Sequence, residues 1–319
     1  MASKSNEIVT DFPPVLRIYK DGTVERLFGT PFVPPSPEDP STGVSSKDIT
    51  ISSNLPARLF LPKIPDTSNQ KLPILIYFHG GGFCGESAFS SLNDSYANIL
   101  VSQAKALTIS VEYRLAPENP LPAAYEDCWA ALQWVASHVK NSYSKKETWL
   151  IDHGNFLKVY LGGESSGANI AYNLAMKAGV ESLPGDVKIF GVFLSHPYFW
   201  GSKYESNYTL QNNEHSLSYK LWMFAYPSAP GGIDNQMINP LVDGAISRIG
   251  CSRLFVSVAG KDRLRETGLL YVEALRKSGW NGELNIVDTE GEDHVFHVLN
   301  PDSESAKNLI KRLASFIKD

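Results

Sequence analysis

The chain has 319 residues, of which 43% are apolar and 20% are charged, and its formal net charge is -5. This composition is enough to bury a large core, so a disordered or low-complexity chain is excluded. The acidic balance argues against an extended basic surface for nucleic acid.

The ends of the chain and its cysteines indicate the compartment. The first residues lack the apolar stretch of a secretory signal, and no segment approaches the ~18 apolar residues of a membrane span. Cys84, Cys128 and Cys251 are far apart and form no CxxC pair, which argues against a disulfide framework or a zinc ribbon. We therefore expect a cytoplasmic protein that needs no metal and acts on a small molecule, not on a nucleic acid or a membrane. The oligomeric state stays open.

Apolar runs and helical patterns alternate along most of the chain. Residues 1–45 are predicted to be irregular apart from a hairpin at Lys20-Asp21-Gly22, and short strands are predicted at 48–52 and 57–61. From residue 73 the alternation is typical of a mostly parallel sheet with helices on both faces. The predicted strands of this part are 73–78, 106–112, 157–161, 189–195, 253–259 and 283–288, and the predicted helices are 123–137, 166–177, 264–278 and 303–317.

The segment at 198–245 interrupts this alternation with aromatic, proline and glycine residues. We interpret it either as an ordinary packed excursion or as a cap over a substrate site. Aromatic residues here and near other motifs are candidates for an apolar pocket, with the core as the alternative place for each. These candidates are Phe83, Phe199, Trp200, Trp222, Phe224 and Phe296.

A serine flanked by glycines follows the predicted strand at 157–161. Gly163-x-Ser165-x-Gly167 has the spacing of a nucleophile elbow, a sharp strand-to-helix turn that projects the serine oxygen at the carboxyl edge of a sheet. The two glycines let the backbones approach closely. The alternative is a helix N-cap serine followed by glycine.

A run of glycines follows the predicted strand at 73–78. His79-Gly80-Gly81-Gly82 exposes backbone N–H groups, and HGGG after a strand is the lipase and esterase form of an oxyanion hole. Gly80-x-Gly82-x-x-Gly85 with Glu112 also resembles a dinucleotide fingerprint. However, Glu112 lies further on than the usual ~20 residues, and that interpretation does not account for the serine motif.

A serine nucleophile needs a base and an acid on loops at the same edge of the sheet. His294 is the best placed histidine because it follows the last predicted strand, and Asp262 follows the strand before it. The order Ser165, Asp262, His294 is that of an α/β-hydrolase. The alternatives are His196 and His297 for the base, and Glu266, Glu292 and Asp293 for the acid.

With these motifs, the chain resembles the plant carboxylesterases of the hormone-sensitive-lipase-like branch of the α/β-hydrolases. The resemblance covers nearly the whole chain, and its specific segments include PILIYFHGGGF, VEYRLAPENPLPAAYEDCWAALQWV, LGGESSGANIAYN and EGEDHVFH. It implies an α/β-hydrolase fold in a single domain over residues 1–319. It also implies a mainly helical cap contributed by about residues 1–45 and 198–235.

The resemblance further implies a serine carboxylesterase that needs no cofactor. Ser165 would be the nucleophile, His294 the general base and acid, and Asp262 the residue that orients the histidine. The oxyanion hole would be formed by the backbone N–H groups of Gly81, Gly82 and Ser166.

Related proteins differ from this chain at the same positions. The similar gibberellin receptors lack the catalytic histidine, and the 2-hydroxyisoflavanone dehydratases typically carry threonine at the position of Ser165. The related alkaloid cyclases have lost parts of the triad and of the glycine run. This chain keeps every part, which favours ester hydrolysis. A dehydratase or cyclase that uses His294 and the same oxyanion hole is the alternative.

Overall fold

The computed structural model describes residues 7–64, 70–139, 147–202, 216–242 and 244–319. Its strands are β1 (Ile8–Phe12), β2 (Leu16–Tyr19), β3 (Val24–Arg26), β4 (Ser45–Ser52), β5 (Leu55–Leu61), β6 (Leu72–Phe78), β7 (Leu107–Val111), β8 (Gly154–Glu164), β9 (Ile189–Ser195), β10 (Cys251–Ala259) and β11 (Glu283–Thr289). Its α-helices are α1 (Ser91–Ala104), α2 (Ala123–Ser137), α3 (Thr148–His153), α4 (Ser166–Ala178), α5 (Leu217–Ala225), α6 (Arg265–Lys277), α7 (Phe296–Leu299) and α8 (Glu304–Lys318).

An eight-stranded sheet has the order β11-β10-β9-β8-β6-β7-β5-β4. The strands from β6 to β11 pair in parallel, and β5 and β4 extend the β7 edge in antiparallel pairing. Parallel strands need helices on both faces, which explains why their sequences are continuous apolar runs. The predicted α/β class, with a mostly parallel sheet flanked by helices, is confirmed.

Alternate residues of the strands pack into two different cores. On β6, Leu75 and Tyr77 join the core that contains residues of α1 and α8. Ile74 and Ile76 join the core that contains residues of α2 and α4. Because both faces are covered in this way, the edge at the carboxyl ends of the strands is where loops can assemble a site.

The N-terminal residues form a second, antiparallel sheet with the order β1-β2-β3. Its turn between β2 and β3 is the hairpin predicted from the sequence, in which the Asp21 carboxylate accepts the N–H of Thr23 at 3.0 Å. The described part of residues 1–45 therefore supplies strands, which differs from the mainly helical cap that the resemblance implies. Alternating side chains and a tight turn favour strands over a helix here.

The N-terminal sheet contacts both the insertion and the glycine run. The rings of Phe12 and Phe224, on β1 and α5, lie 5.2 Å apart edge to face. Arg26 of β3 donates to the carbonyl of Cys84 at 2.9 Å and pairs with Glu118 at 2.7 Å. Of the expected cap, residues 203–215 lie outside the described residues, and the single-domain organisation stays a prediction.

Among the residues that the structure describes, no helix combines the length and the apolar character needed to cross a bilayer.

Candidate active site

Ser165 stands between the end of β8 and the start of α4, in a backbone conformation that a side chain rarely adopts. Its φ is 54° and its ψ is -118°. The turn is tight on both sides, because a Cβ at Gly163 would lie 2.2 Å from the carbonyl oxygen of Phe78, and one at Gly167 would lie 1.9 Å from it. The Ser165 N–H donates to the carbonyl of Ser195 at 2.9 Å, which anchors the turn to β9. The strained turn agrees with the elbow predicted from the sequence.

A chain of hydrogen bonds joins Ser165 to His294 and Asp262. Ser165 Oγ lies 3.0 Å from His294 Nε2, and His294 Nδ1 lies 2.7 Å from Asp262 Oδ2. The other carboxylate oxygen, Oδ1, accepts the N–H of Leu264 at 2.8 Å. Asp262 thereby orients a His294 tautomer with its proton on Nδ1, which leaves Nε2 as the acceptor of the serine proton.

A second histidine, His196, supports the loop that carries His294. The N–H of Val295 donates to His196 Nδ1 at 2.9 Å, and Val295 has a φ of 48°. The N–H of His294 donates to Asp293 Oδ1 at 2.7 Å. His196 is fully buried, and its Nδ1 lies 3.6 Å from Asp262 Oδ2.

The two alternative bases do not reach the nucleophile. Burial lowers the pKa of His196 well below its usual value, and burial lowers the pKa of His297 to about 3. Within the described ranges, the serine oxygen of Ser165 hydrogen bonds to His294 and to neither of these residues. His196, Asp262 and His294 do lie close enough together to hold a metal ion. However, Nδ1 of His294 and Nδ1 of His196 are already engaged by Asp262 and Val295.

The glycine run after β6 turns with positive φ angles, 102° at Gly81 and 61° at Gly82. A Cβ at Gly81 would lie 2.2 Å from the carbonyl oxygen of Gly85, so this turn requires glycine. Ser166 is the first residue of α4, where a backbone N–H has no partner inside the helix. The assignment of the N–H groups of Gly81, Gly82 and Ser166 to an oxyanion hole stays a prediction that this geometry suits.

Two buried side chains hold the glycine run in place. Glu164 accepts a hydrogen bond from the Tyr77 hydroxyl at 2.5 Å and one from the Gly80 N–H at 2.6 Å, and burial raises its pKa to about 7. His79 Nδ1 lies 2.8 Å from the carbonyl oxygen of Gly80. The imidazole ring stacks on the ring of Tyr113, with the two ring centroids 4.3 Å apart. Burial lowers the pKa of His79 to about 4, so it is neutral at pH 7. Support of the glycine run therefore explains why a histidine stands at this position of the motif.

The residue that would complete a dinucleotide fingerprint has another partner. The carboxylate of Glu112 accepts the Ser87 hydroxyl at 2.9 Å and the Ala88 N–H at 2.6 Å. It thus fastens the chain just after the glycine run to the end of β7. This arrangement does not favour the dinucleotide interpretation.

A cavity of about 840 Å³ opens above Ser165. Residues 14, 15, 27 and 28 of the N-terminal segment and residues 217, 218 and 221 of α5 line it together with the catalytic residues. Most of the other lining side chains are apolar, with a few acidic, basic and amide groups. The lining includes Pro14, Val15, Leu27, Phe28, Glu86, Leu92, Asn93, Tyr198, Leu217, Leu221, Lys261, Arg263, Asp293, Val298 and Leu299.

The aromatic residues proposed for the pocket do not line this cavity, and this corrects the sequence-based expectation. Phe83, Phe199, Trp200, Trp222 and Phe296 are buried, and Phe224 packs against the core. The ring centroids of Phe83 and Trp222 are 6.2 Å apart, and the indole N–H of Trp222 donates to the carbonyl of Gly232 at 3.0 Å. Large rings bury the most area in a packed core, which explains their position. The lining that the sequence did not reveal is mostly aliphatic and comes from the N-terminal segment and α5.

Comparison with known proteins places the chain in a family. The model of a family described as the alpha/beta hydrolase fold matches residues 75–298. The 2-hydroxyisoflavanone dehydratase of Glycyrrhiza echinata is 53% identical over 98% of this chain and 97% of its own length. Probable carboxylesterase 5 of Arabidopsis thaliana is 44% identical over 98% of this chain and 99% of its own. The structure of an esterase from Pyrobaculum calidifontis has a TM-score of 0.66 and 26% identity, over 86% of this chain and 84% of that one.

The chain therefore belongs to the α/β-hydrolase fold family. Within that family it is similar to plant proteins that bear two kinds of name, a dehydratase and a carboxylesterase.

Proposed function

We propose that the protein is a serine carboxylesterase that hydrolyses small-molecule esters through an acyl-enzyme. The observation that carries this proposal is the continuous hydrogen-bond chain from Ser165 Oγ through His294 to Asp262. A nucleophile, a base and an orienting acid in this arrangement are what acyl transfer requires.

The proposed reaction follows from these positions. Ser165 Oγ attacks the ester carbonyl carbon while His294 Nε2 accepts its proton, and the N–H groups of Gly81, Gly82 and Ser166 bind the developing oxyanion. The imidazolium then gives the proton to the leaving alcohol. A water molecule, deprotonated by His294, attacks the acyl-enzyme and releases the acid. Asp262 stabilises the imidazolium at both stages.

The cavity supports a small-molecule substrate with a large apolar part. Its volume of about 840 Å³ lies in the range of drug-sized ligand pockets. We propose that the N-terminal residues and α5 act together as the cap that selects substrates, because both line the cavity that contains Ser165.

The test uses a fluorophosphonate probe and p-nitrophenyl butyrate with the wild type, Ser165→Ala and His294→Ala. We expect labelling of the wild type at Ser165, and kcat lowered by about four to six orders of magnitude in both variants. Circular dichroism of the variants checks that they fold. A wild type that neither labels nor turns over would show that the esterase assignment is wrong.

A second candidate function is elimination or cyclisation. It is favoured by the 53% identity to a protein named as a dehydratase. His294 would remove a proton next to a carbonyl, and the glycine run would bind the enolate oxygen, with no acyl-enzyme. The Ser165→Ala variant separates the two, because it abolishes ester hydrolysis but would leave dehydration of a 2-hydroxyisoflavanone largely intact. His294→Ala would abolish both.

A further inference from the structure

Three glutamates with little exposure lie around the glycine run, and one of them differs from the others. Glu164 and Glu112 each accept hydrogen bonds that fasten separate parts of the fold together, as described above. Glu86 also lines the cavity above Ser165 but makes no such link. Its Oε1 accepts the N–H of its own neighbour Ser87 at 3.0 Å, and the Ser90 hydroxyl is its other hydrogen-bond partner.

The backbone fixes Glu86 at the boundary between the glycine run and the N-terminal segment. Its φ is 69°, a conformation that costs free energy in a residue with a Cβ. Its Cα is 2.8 Å from where a Cβ on Gly29 would be, and its Cβ is 3.1 Å from where one on Gly81 would be. A glycine would meet the backbone requirement of this position more easily. The carboxylate therefore needs an explanation beyond the turn.

Glu86 is buried without a cation. Its exposed fraction is 7%, and within the described ranges it forms no ion pair with a lysine, an arginine or a histidine. Burial raises the pKa of its carboxyl. An ionised carboxylate offers about four lone-pair positions, and the two hydrogen bonds from Ser87 and Ser90 leave acceptor capacity on the wall of the cavity.

A second buried acceptor belongs to the first turn of α1. Asn93 lines the same cavity with an exposed fraction of 2%. Its Nδ2 donates to Ser110 Oγ at 3.2 Å, while its Oδ1 has no hydrogen-bond partner in the part of the chain that the structure describes. Two acceptors in a wall that is mostly apolar favour a ligand that brings a donor.

We propose that Glu86 and Asn93 form a subsite that recognises a hydroxyl group on an otherwise apolar ester substrate. The proposal rests on the esterase function proposed above and names its substrate class. A hydroxyl is proposed as this donor because most of the cavity lining is apolar and therefore suits an uncharged substrate.

The test compares matched esters that differ only in one hydroxyl. The substrates are p-nitrophenyl esters of phenylacetic, 3-phenylpropanoic and 4-phenylbutanoic acid, each with and without a para-hydroxyl on the phenyl ring. The readout is the ratio of kcat/KM for the hydroxylated ester to that for its partner. A hydrogen bond between the hydroxyl and this subsite predicts a ratio of about 10 or more for at least one chain length.

The variants locate the preference. Glu86→Met keeps the length of the side chain and removes the acceptors, so the ratio should fall to about 1. Glu86→Gln keeps one acceptor oxygen and should give an intermediate ratio. Glu304→Met makes the same change at an exposed position on α8 and should leave the ratio of the wild type.

Two results would overturn the subsite: wild-type ratios near 1 at all three chain lengths, or a preference that survives in Glu86→Met. If no ester is hydrolysed at all, the proposed function fails instead. Calorimetric Kd values for the same ester pairs on the Ser165→Ala variant then decide the subsite independently. Tighter binding of the hydroxylated ester, lost on the additional Glu86→Met change, supports it, and equal binding overturns it.

Discussion

Asp262 lies beside two histidines that the fold uses in different ways. His294 Nδ1 is 2.7 Å from Asp262 Oδ2 and His196 Nδ1 is 3.6 Å from it. The side chain of His294 is 33% exposed, whereas that of His196 is completely buried. Proximity to a carboxylate is therefore not enough to make an imidazole a base. His294 also presents its second nitrogen to Ser165 and lines the cavity.

Desolvation explains the different behaviour of His196. Burial disfavours the imidazolium there, with neighbouring His297 and His294 as smaller causes, and together they outweigh the attraction of Asp262. A neutral His196 can accept the N–H of Val295 through Nδ1. It thus positions the loop of His294 without competing for the charge of the carboxylate.

The largest expected effect comes from removing the charge of Asp262, the carboxylate that lies beside both histidines. Asp262→Asn should lower kcat by about 10⁴-fold with little change in KM, because the amide favours the wrong tautomer of His294. Steady-state kinetics with p-nitrophenyl butyrate measure this. Asp293→Asn changes a neighbouring carboxylate whose partner, among the residues that the structure describes, is a backbone N–H, so it should be far milder. Equal losses in the two variants would contradict the assignment of Asp262.

A smaller effect is expected when the Val295 N–H loses its acceptor, Nδ1 of His196. His196→Leu leaves the Val295 N–H buried without a partner, which costs about 1–3 kcal/mol and loosens His294. We expect kcat to fall by roughly 10- to 100-fold with KM nearly unchanged.

His196→Asn separates positioning from packing, because its side-chain oxygen can accept the Val295 N–H again. It should recover much of the kcat that His196→Leu loses. A loss as large as that of His294→Ala would instead make His196 part of the proton transfer. No loss in either variant would show that the contact with Val295 does not hold the site.

The order of the site residues along the chain could be predicted, whereas the lining of the cavity could not. Ser165, Asp262 and His294 each follow a strand of the parallel part of the sheet, and parallel strands bring such positions to one edge. The cavity wall comes from segments such as Pro14 and Leu217 that meet only through tertiary packing. No local pattern reveals those meetings, and the size of an aromatic ring does not tell whether it faces a cavity or the core.

Helix α1 was missed for a different reason. It buries Asn93 and Asn98 among its apolar residues, which breaks the helical periodicity. Only the donor side of each amide has a partner among the described residues: Asn93 Nδ2 donates to Ser110 Oγ at 3.2 Å, and Asn98 Nδ2 donates to the carbonyl of Asp94 at 2.8 Å. A signal was present nevertheless, because Ser90 is a favourable N-cap residue and its side chain accepts the N–H of Asn93.

His297 provides the last test of the desolvation argument. It is fully buried, and neither of its ring nitrogens has a hydrogen-bond partner among the described residues. Its pKa falls from 6.5 to about 3 in the folded protein because of burial, so only the unfolded chain binds the proton between these values. The contribution of this residue to stability is complete above pH 6.5. As the pH falls from 6.5 toward 3, this contribution to the free energy of unfolding decreases by about 1.4 kcal/mol per pH unit.

The variant His297→Leu removes this dependence and replaces the ring with an apolar side chain. Urea unfolding of the wild type and the variant at pH 7.5 and 5.0 measures the free energy of unfolding at each pH. The decrease between the two pH values should be about 2 kcal/mol smaller in the variant, since 1.5 pH units lie below 6.5. Between pH 7.5 and 8.5 the two proteins should change equally. Parallel decreases down to pH 5.0 would mean that His297 binds its proton in the folded state, and burial alone would then no longer explain why His196 stays neutral.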